Sequence, residues 1–176
     1  MTVQIERPKA EEHSPYYGPY IGRVPETDVL EVLSRQPDEM KKVLGGLPAE
    51  RATYRYEPGK WSVAEVIGHL SDAERIFAYR ALRIARGDTT PLAGFDENAY
   101  VPESHCDRRG LPQVLDDFIA VRRATISLLT GLDASDLARV GNANGTPMST
   151  RALAFILAGH VRHHMGTLRE RYGVGS

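Results

Sequence analysis

Apolar positions recur every three or four residues along four stretches of this chain, the spacing that gathers side chains on one face of an α-helix. The first stretch covers about residues 26–47, with Leu30, Leu33, Met40, Val43, Leu44 and Leu47 on its apolar face and Gly45-Gly46 at its end. Pro37 interrupts that pattern, so a kink or break is expected there. The second opens at Ser62, where Ser62 and Glu65 have the spacing of a capping box. Val66, Leu70, Ala73, Ile76, Phe77 and Leu82 then form a stripe that includes His69, and Gly87 closes it. The third, about 111–129, carries Val114, Leu115, Phe118, Val121, Thr125 and Leu128. The fourth begins at Ser149 or Thr150, after a loop over 141–147, and runs to about Tyr172 with Leu153, Ile156, Leu157, His160, His164 and Leu168 on one face. No segment alternates convincingly with a period of two, and Tyr54-Arg55-Tyr56 is too short for a sheet. The pattern predicts an all-α protein, an antiparallel four-helix bundle.

Residues 1–25 break the pattern. Pro8, Pro15, Pro19 and Pro25 exclude a continuous helix, and Tyr16, Tyr17 and Tyr20 offer rings to lay against a body, so an extended N-terminal arm is expected beside a bundle domain over 26–176. A length of 176 residues suits one domain with its own core. Charges nearly balance, with 22 Lys plus Arg against 23 Asp plus Glu, which argues against nucleic acid and anionic membrane surfaces as partners. No apolar run reaches the roughly 18 residues of a membrane span, and MTVQIERPKAEEH lacks the apolar core of a secretory signal. The single cysteine, Cys106, suits a reducing cytoplasm.

Histidine changes the picture. His160 and His164 stand four apart in His160-Val161-Arg162-His163-His164, one turn above the other on the apolar face of their helix. His69 lies on the apolar face of another helix. Three inward imidazoles from two helices match a metal site with three protein ligands and an open position. The alternative is a buried hydrogen-bond network of ordinary core histidines. His163, three after His160, also permits convergence but drifts to the flank of the stripe. His105 and Cys106 precede the third helix without helical register behind them, and His13 falls in the arm.

These residues also carry a resemblance. The string Tyr56-Glu57-Pro58-Gly59-Lys60-Trp61-Ser62-Val63-Ala64-Glu65-Val66-Ile67-Gly68-His69-Leu70 resembles the DinB/YfiT-like superfamily of metalloenzymes, in particular the DinB-like domain proteins. So do Phe77 to Leu82, Gly94 to Tyr100, Ala158 to His164 and Leu168 to Tyr172, the likeness extending from about residue 20 to the end. The resemblance implies a four-helix bundle holding one divalent ion, nickel or zinc first and manganese or iron next, on His69, His160 and His164. For activity it implies first a thiol-dependent S-transferase acting on an electrophilic small molecule, with a low-molecular-weight thiol as cosubstrate, and as the alternative a hydrolase working through metal-bound water. A non-catalytic metal-binding or interaction module is the third reading, and homodimers occur among the relatives.

Around that site, Asp72 and Glu65 are candidates to orient His69, Glu65 being already explained by its cap. The 95–100 segment is a candidate lid, with Asn98 and Tyr100 as substrate-binding helpers. Asn142, Asn144 and Arg151, at the start of the fourth helix, are candidates to hold the anionic group of a thiol cofactor.

Overall fold

The computed structural model describes residues 4–175 and contains each expected long helix. In chain order the helices are α1 (Gly18–Gly22), α2 (Val29–Leu44), α3 (Ala49–Ala52), α4 (Val63–Ala85), α5 (Glu97–Glu103), α6 (Cys106–Arg109), α7 (Leu111–Thr130), α8 (Ala134–Ala138) and α9 (Thr150–Tyr172). Caps fix the starts of the bundle helices. Asp28 accepts from the Glu31 amide at α2, and Ser149 accepts from the Ala152 amide at α9. At α4 the Ser62–Glu65 capping box forms in both directions.

The break expected at Pro37 does not occur, and α2 runs through it. Proline offers no N–H, so the carbonyl four residues earlier, that of Leu33, loses its helical partner. Arg122 of α7, wholly buried, supplies one: its Nη1 donates to the Leu33 carbonyl at 3.2 Å. The same guanidinium grips Glu74 of α4 through Nε–Oε1 at 2.6 Å and Nη2–Oε2 at 2.8 Å, and donates to Gln36 Oε1 at 2.6 Å. Gln36 in turn donates to the Ala158 carbonyl of α9 at 2.8 Å. One buried polar cluster therefore touches all four long helices.

Among the four long helices the packing pairs are α2 with α7, α2 with α9, α4 with α7 and α4 with α9, which sets α2 and α4 across one diagonal of the bundle and α7 and α9 across the other. The antiparallel relation holds for α4 and α9: Tyr172 at the end of α9 donates to the Trp61 carbonyl just before α4, while Phe77 further along α4 meets His160. α7 runs beside α4 in the same direction, with Val114 against Gly68 and Arg122 on Glu74. The long 86–110 link, which contains α5 and α6, makes this possible by returning the chain to the end where α4 began.

Two departures matter for the site. The 141–147 stretch, expected as a loop, is a β-hairpin of β1 (Val140–Ala143) and β2 (Thr146–Ser149), paired from Val140↔Ser149 to Ala143↔Thr146. Its turn residues Asn144 and Gly145 take φ of 55° and 76°, as a two-residue type I′ turn requires. The N-terminal arm has no regular structure over 4–9; it then coils through turns at Ala10–Glu12 and Pro15–Tyr17 into α1, with Ile5, Ile21 and Val24 buried. α1 lies so close to α9 that a Cβ at Gly159 would be driven into the Tyr20 carbonyl.

Candidate metal centre

Helical register on α4 and α9 brings three imidazoles to one point. His160 and His164 stack one turn apart, and α4 runs past them so that His69 faces both. His69 Nε2 is 3.2 Å from His160 Nε2, which is 3.0 Å from His164 Nε2. The three candidate ligand atoms all lie within 4.8 Å of one another. His69 and His160 are buried and His164 is half-buried. Trp61, tilted over His69 at 4.8 Å between rings, and Tyr20, edge-on to His160 at 5.4 Å, wall the cluster.

Burial pushes all three imidazole pKa values down, that of His69 to about 4, and the other imidazoles push the same way for His160 and His164. The rings are therefore neutral at physiological pH, and among the described residues no carboxylate pairs with any of them. A neutral imidazole nitrogen bears either one N–H or one lone pair. His160 Nε2 can thus serve only one of its two close neighbours well. A cation resolves the conflict, because all three lone pairs can then point inward, and ligands about 2.0–2.1 Å from a tetrahedral ion stand roughly 3.3 Å apart. The donor set fits a divalent ion.

The cluster opens into a cavity of about 300 Å³. One wall is a stripe of α4, His69, Ala73, Phe77 and Arg80, at positions that repeat on one helix face. The coiled N-terminal segment brings Tyr16, Tyr17 and Tyr20, the 94–97 segment brings Phe95 and Glu97, the hairpin brings Asn144 and Thr146, and α9 adds His163. A second cavity of about 250 Å³ lies beyond Trp61, touches His163 and His164, and is lined also by Lys60, Asn98 and Thr167.

Several expected helpers are placed elsewhere. Asp72 pairs with Arg75 at 3.6 Å on the side of α4 that faces α7, and burial raises its pKa. Glu65 is taken up by its cap and by Arg55 at 2.9 Å. Arg151 is held by both oxygens of the buried Glu12 and by Glu6, so its charge is already neutralised, and the Ser149 hydroxyl completes that cluster. Asn142 sits exposed in β1, its carbonyl bound by the Leu92 amide. Tyr100 packs on Phe95 outside the cavity that holds the histidines, whereas Asn98 reaches the second cavity. His105 is exposed, and Cys106 is buried against Gly68, apart from the cluster. Arg80, Glu97 and the three tyrosines were not singled out from sequence for this cavity. Arg80 and Phe77 were in principle visible, standing eleven and eight residues after His69 on its own face.

Fold and cluster together define a class: a four-helix bundle with three histidines converging at the wall of a cavity. The description of the DinB superfamily matches residues 33–168, and the chain belongs to that superfamily. It is similar to "Putative metal-dependent hydrolase" of Geobacillus thermodenitrificans, 29% identical over 146 residues that cover 78% of this chain and 80% of that protein. A protein of the same name with the label GK0616, from Geobacillus kaustophilus, is 28% identical over 145 residues, again 78% and 80% of the two chains. In fold the chain is similar to YfiT from Bacillus subtilis, described as "a probable metal-dependent hydrolase with an unusual four-helix bundle topology", with a TM-score of 0.74, 18% identity, and 96% and 94% of the two chains covered. No helix among the described residues is long and apolar enough to cross a membrane.

Proposed function

We propose that this protein is a divalent-metal-dependent enzyme acting on a small molecule, with hydrolysis as its chemistry and His69, His160 and His164 as the metal ligands. The observation that carries the reading is the convergence of three neutral Nε2 atoms, without an acidic partner among the described residues, at the wall of a cavity. The naming of the Geobacillus relatives supports it. A divalent ion so held supplies Lewis acidity and lowers the pKa of a water or thiol that it binds. The chain's own residues do the rest. Trp61 and Tyr20 hold the ligand rings in orientation and keep bulk water off them. His163, beside His164 at 4.9 Å between rings and lining the cavity, accepts a proton from the nucleophile; burial lowers its pKa and keeps it in the basic form.

Thiol transfer to an electrophile is the second reading, and one observation favours it. Two cavities reach His164, divided by Trp61, which suits an enzyme with two substrates. The test is metal content by mass spectrometry on wild type and on His69→Ala, His160→Ala, His164→Ala and His163→Ala. It is followed by turnover of ester, amide and electrophile panels with and without added thiols. Metal lost from the first three variants and kept in the fourth, with turnover reduced in His163→Ala, is the expected result. A wild type that takes up no nickel, zinc, manganese or iron overturns the reading. Turnover that needs a thiol would move the chemistry from hydrolysis to transfer.

A further inference from the structure

The cavity also holds a buried cationic side chain. Arg80 is 2% exposed and lines the same cavity as the histidines. Its Nη2 donates to the Ala93 carbonyl at 2.7 Å, and its guanidinium carbon lies 5.6 Å from the centre of the Phe77 ring. The Tyr17 hydroxyl is its other neighbour. Among the described residues no carboxylate lies within ion-pair distance of it. That is unusual within this molecule: Arg122, the other wholly buried guanidinium, is clamped by Glu74, and Arg151 by Glu12. A buried charge without a counter-charge is costly, and a guanidinium fork is matched in shape and charge by a carboxylate.

Position adds direction. Arg80 follows His69 by eleven residues, just over three turns, so both stand on one face of α4 about 16 Å apart at the backbone. Side chains on a helix lean towards its N-terminus, which tips the guanidinium towards His69. Phe77 bridges the gap, its ring 6.2 Å from that of His160. Glu97 lines the cavity too and offsets Arg80, so with neutral imidazoles the lining carries no net charge, which suits a monoanion better than a phosphate.

We propose that Arg80 is the anchor of a carboxylate subsite, and that the substrate of this cavity is a small carboxylic acid whose apolar middle lies along Phe77 and whose reacting end reaches the three histidines. The proposal deepens the reading of this cavity as the substrate site, and its test can fail without that reading failing. Trp61 is the only tryptophan of the chain and lines the cavity, so its fluorescence reports binding there without turnover. 4-Phenylbutyrate and its neutral amide, 4-phenylbutyramide, are titrated into metal-free and zinc-loaded protein.

The expected result is that the acid binds both forms at least about tenfold more tightly than the amide, the size of one charge-assisted hydrogen bond. Arg80→Gln should abolish that preference and Arg80→Lys should keep part of it. Glu97→Gln should strengthen binding of the acid. Equal binding of acid and amide to wild type overturns the proposal, even if Arg80→Gln does not fold. So does absence of binding to both forms. An acid preference confined to zinc-loaded protein and untouched by Arg80→Gln would put the carboxylate on the ion, which overturns the subsite and leaves the metal reading standing. Arg80-dependent binding in protein that takes up no metal would do the reverse.

Discussion

Two polar clusters lie inside this bundle, and they are built on opposite terms. Around Arg122 every strong group has its complement: the guanidinium meets both oxygens of Glu74, the Gln36 side chain and the Leu33 carbonyl that Pro37 sets free. Around His160 three like groups face one another, and its Nε2 can satisfy only one of its two neighbours. The first is a closed cross-brace among four helices. The second leaves one member without a complement, a place that a cation fits. Burial alone therefore says little about role; the test is whether the buried groups satisfy one another.

Substitution can break this contrast most sharply at the brace. Glu74→Ala leaves Arg122 charged and unpaired in the core, and should cost about 3–5 kcal/mol in chemical denaturation. A matched apolar replacement, Glu74→Leu with Arg122→Met, should recover most of that loss. At the histidines the largest response near neutral pH should appear when metal is present. Zinc or nickel at 100–1,000 times its dissociation constant stabilises wild type by about 2.7–4.1 kcal/mol, seen as a higher melting temperature. In His160→Ala that shift should vanish. Gly159→Ala perturbs the cluster from behind, because its Cβ forces Tyr20 away from α9. It should destabilise by about 1–3 kcal/mol and loosen metal binding, measured by thermal melts with and without zinc.

Acidity should separate the two clusters as well. In metal-free protein the folded-state pKa values of the imidazoles lie below those of the unfolded chain, so the unfolded state binds more protons as pH falls. Stability is then full above about pH 6.5 and is lost on the way down towards pH 4, with a slope of at most about 1.4 kcal/mol per pH unit for each group. His69→Gln should flatten that slope in pH-dependent denaturation. The smallest effect is expected at Asp72, which pairs outward with Arg75. Asp72→Ala should leave metal content unchanged and alter stability by no more than about 0.5 kcal/mol.

What sequence made legible follows from what is local. The histidine trio needed only helical register on two helices, and Ser62–Glu65 only a three-residue spacing, so both were readable. The brace was not, because Arg122 and Glu74 read singly as surface charges until the bundle lays their helices together. Pro37 misled for the same reason: the donor that rescues its helix is 89 positions away from Leu33. The hairpin was hidden by its brevity, four residues a strand with Pro147 in one of them, although Asn144-Gly145 is a strong turn signal. Arg151 looked free for an anion only because Glu12 lies 139 residues earlier.

The order of the helices around the bundle has a bearing on how the molecule comes to exist. In a simple up-and-down bundle, neighbours in sequence are neighbours in space, and a pair joined by a short turn forms early and on its own. In this chain α2 and α4 face each other across the diagonal, as do α7 and α9, and the one long pair that is both consecutive and adjacent is parallel, separated by the 86–110 link. No two long helices can zip together as a local hairpin. Assembly proceeds through encounters between distant stretches, such as Gln36 with Ala158 over 122 positions and His69 with His160 over 91. α9 by itself already sets His160 and His164 one turn apart, and the third imidazole, His69, joins that pair only when α4 and α9 meet across 91 positions.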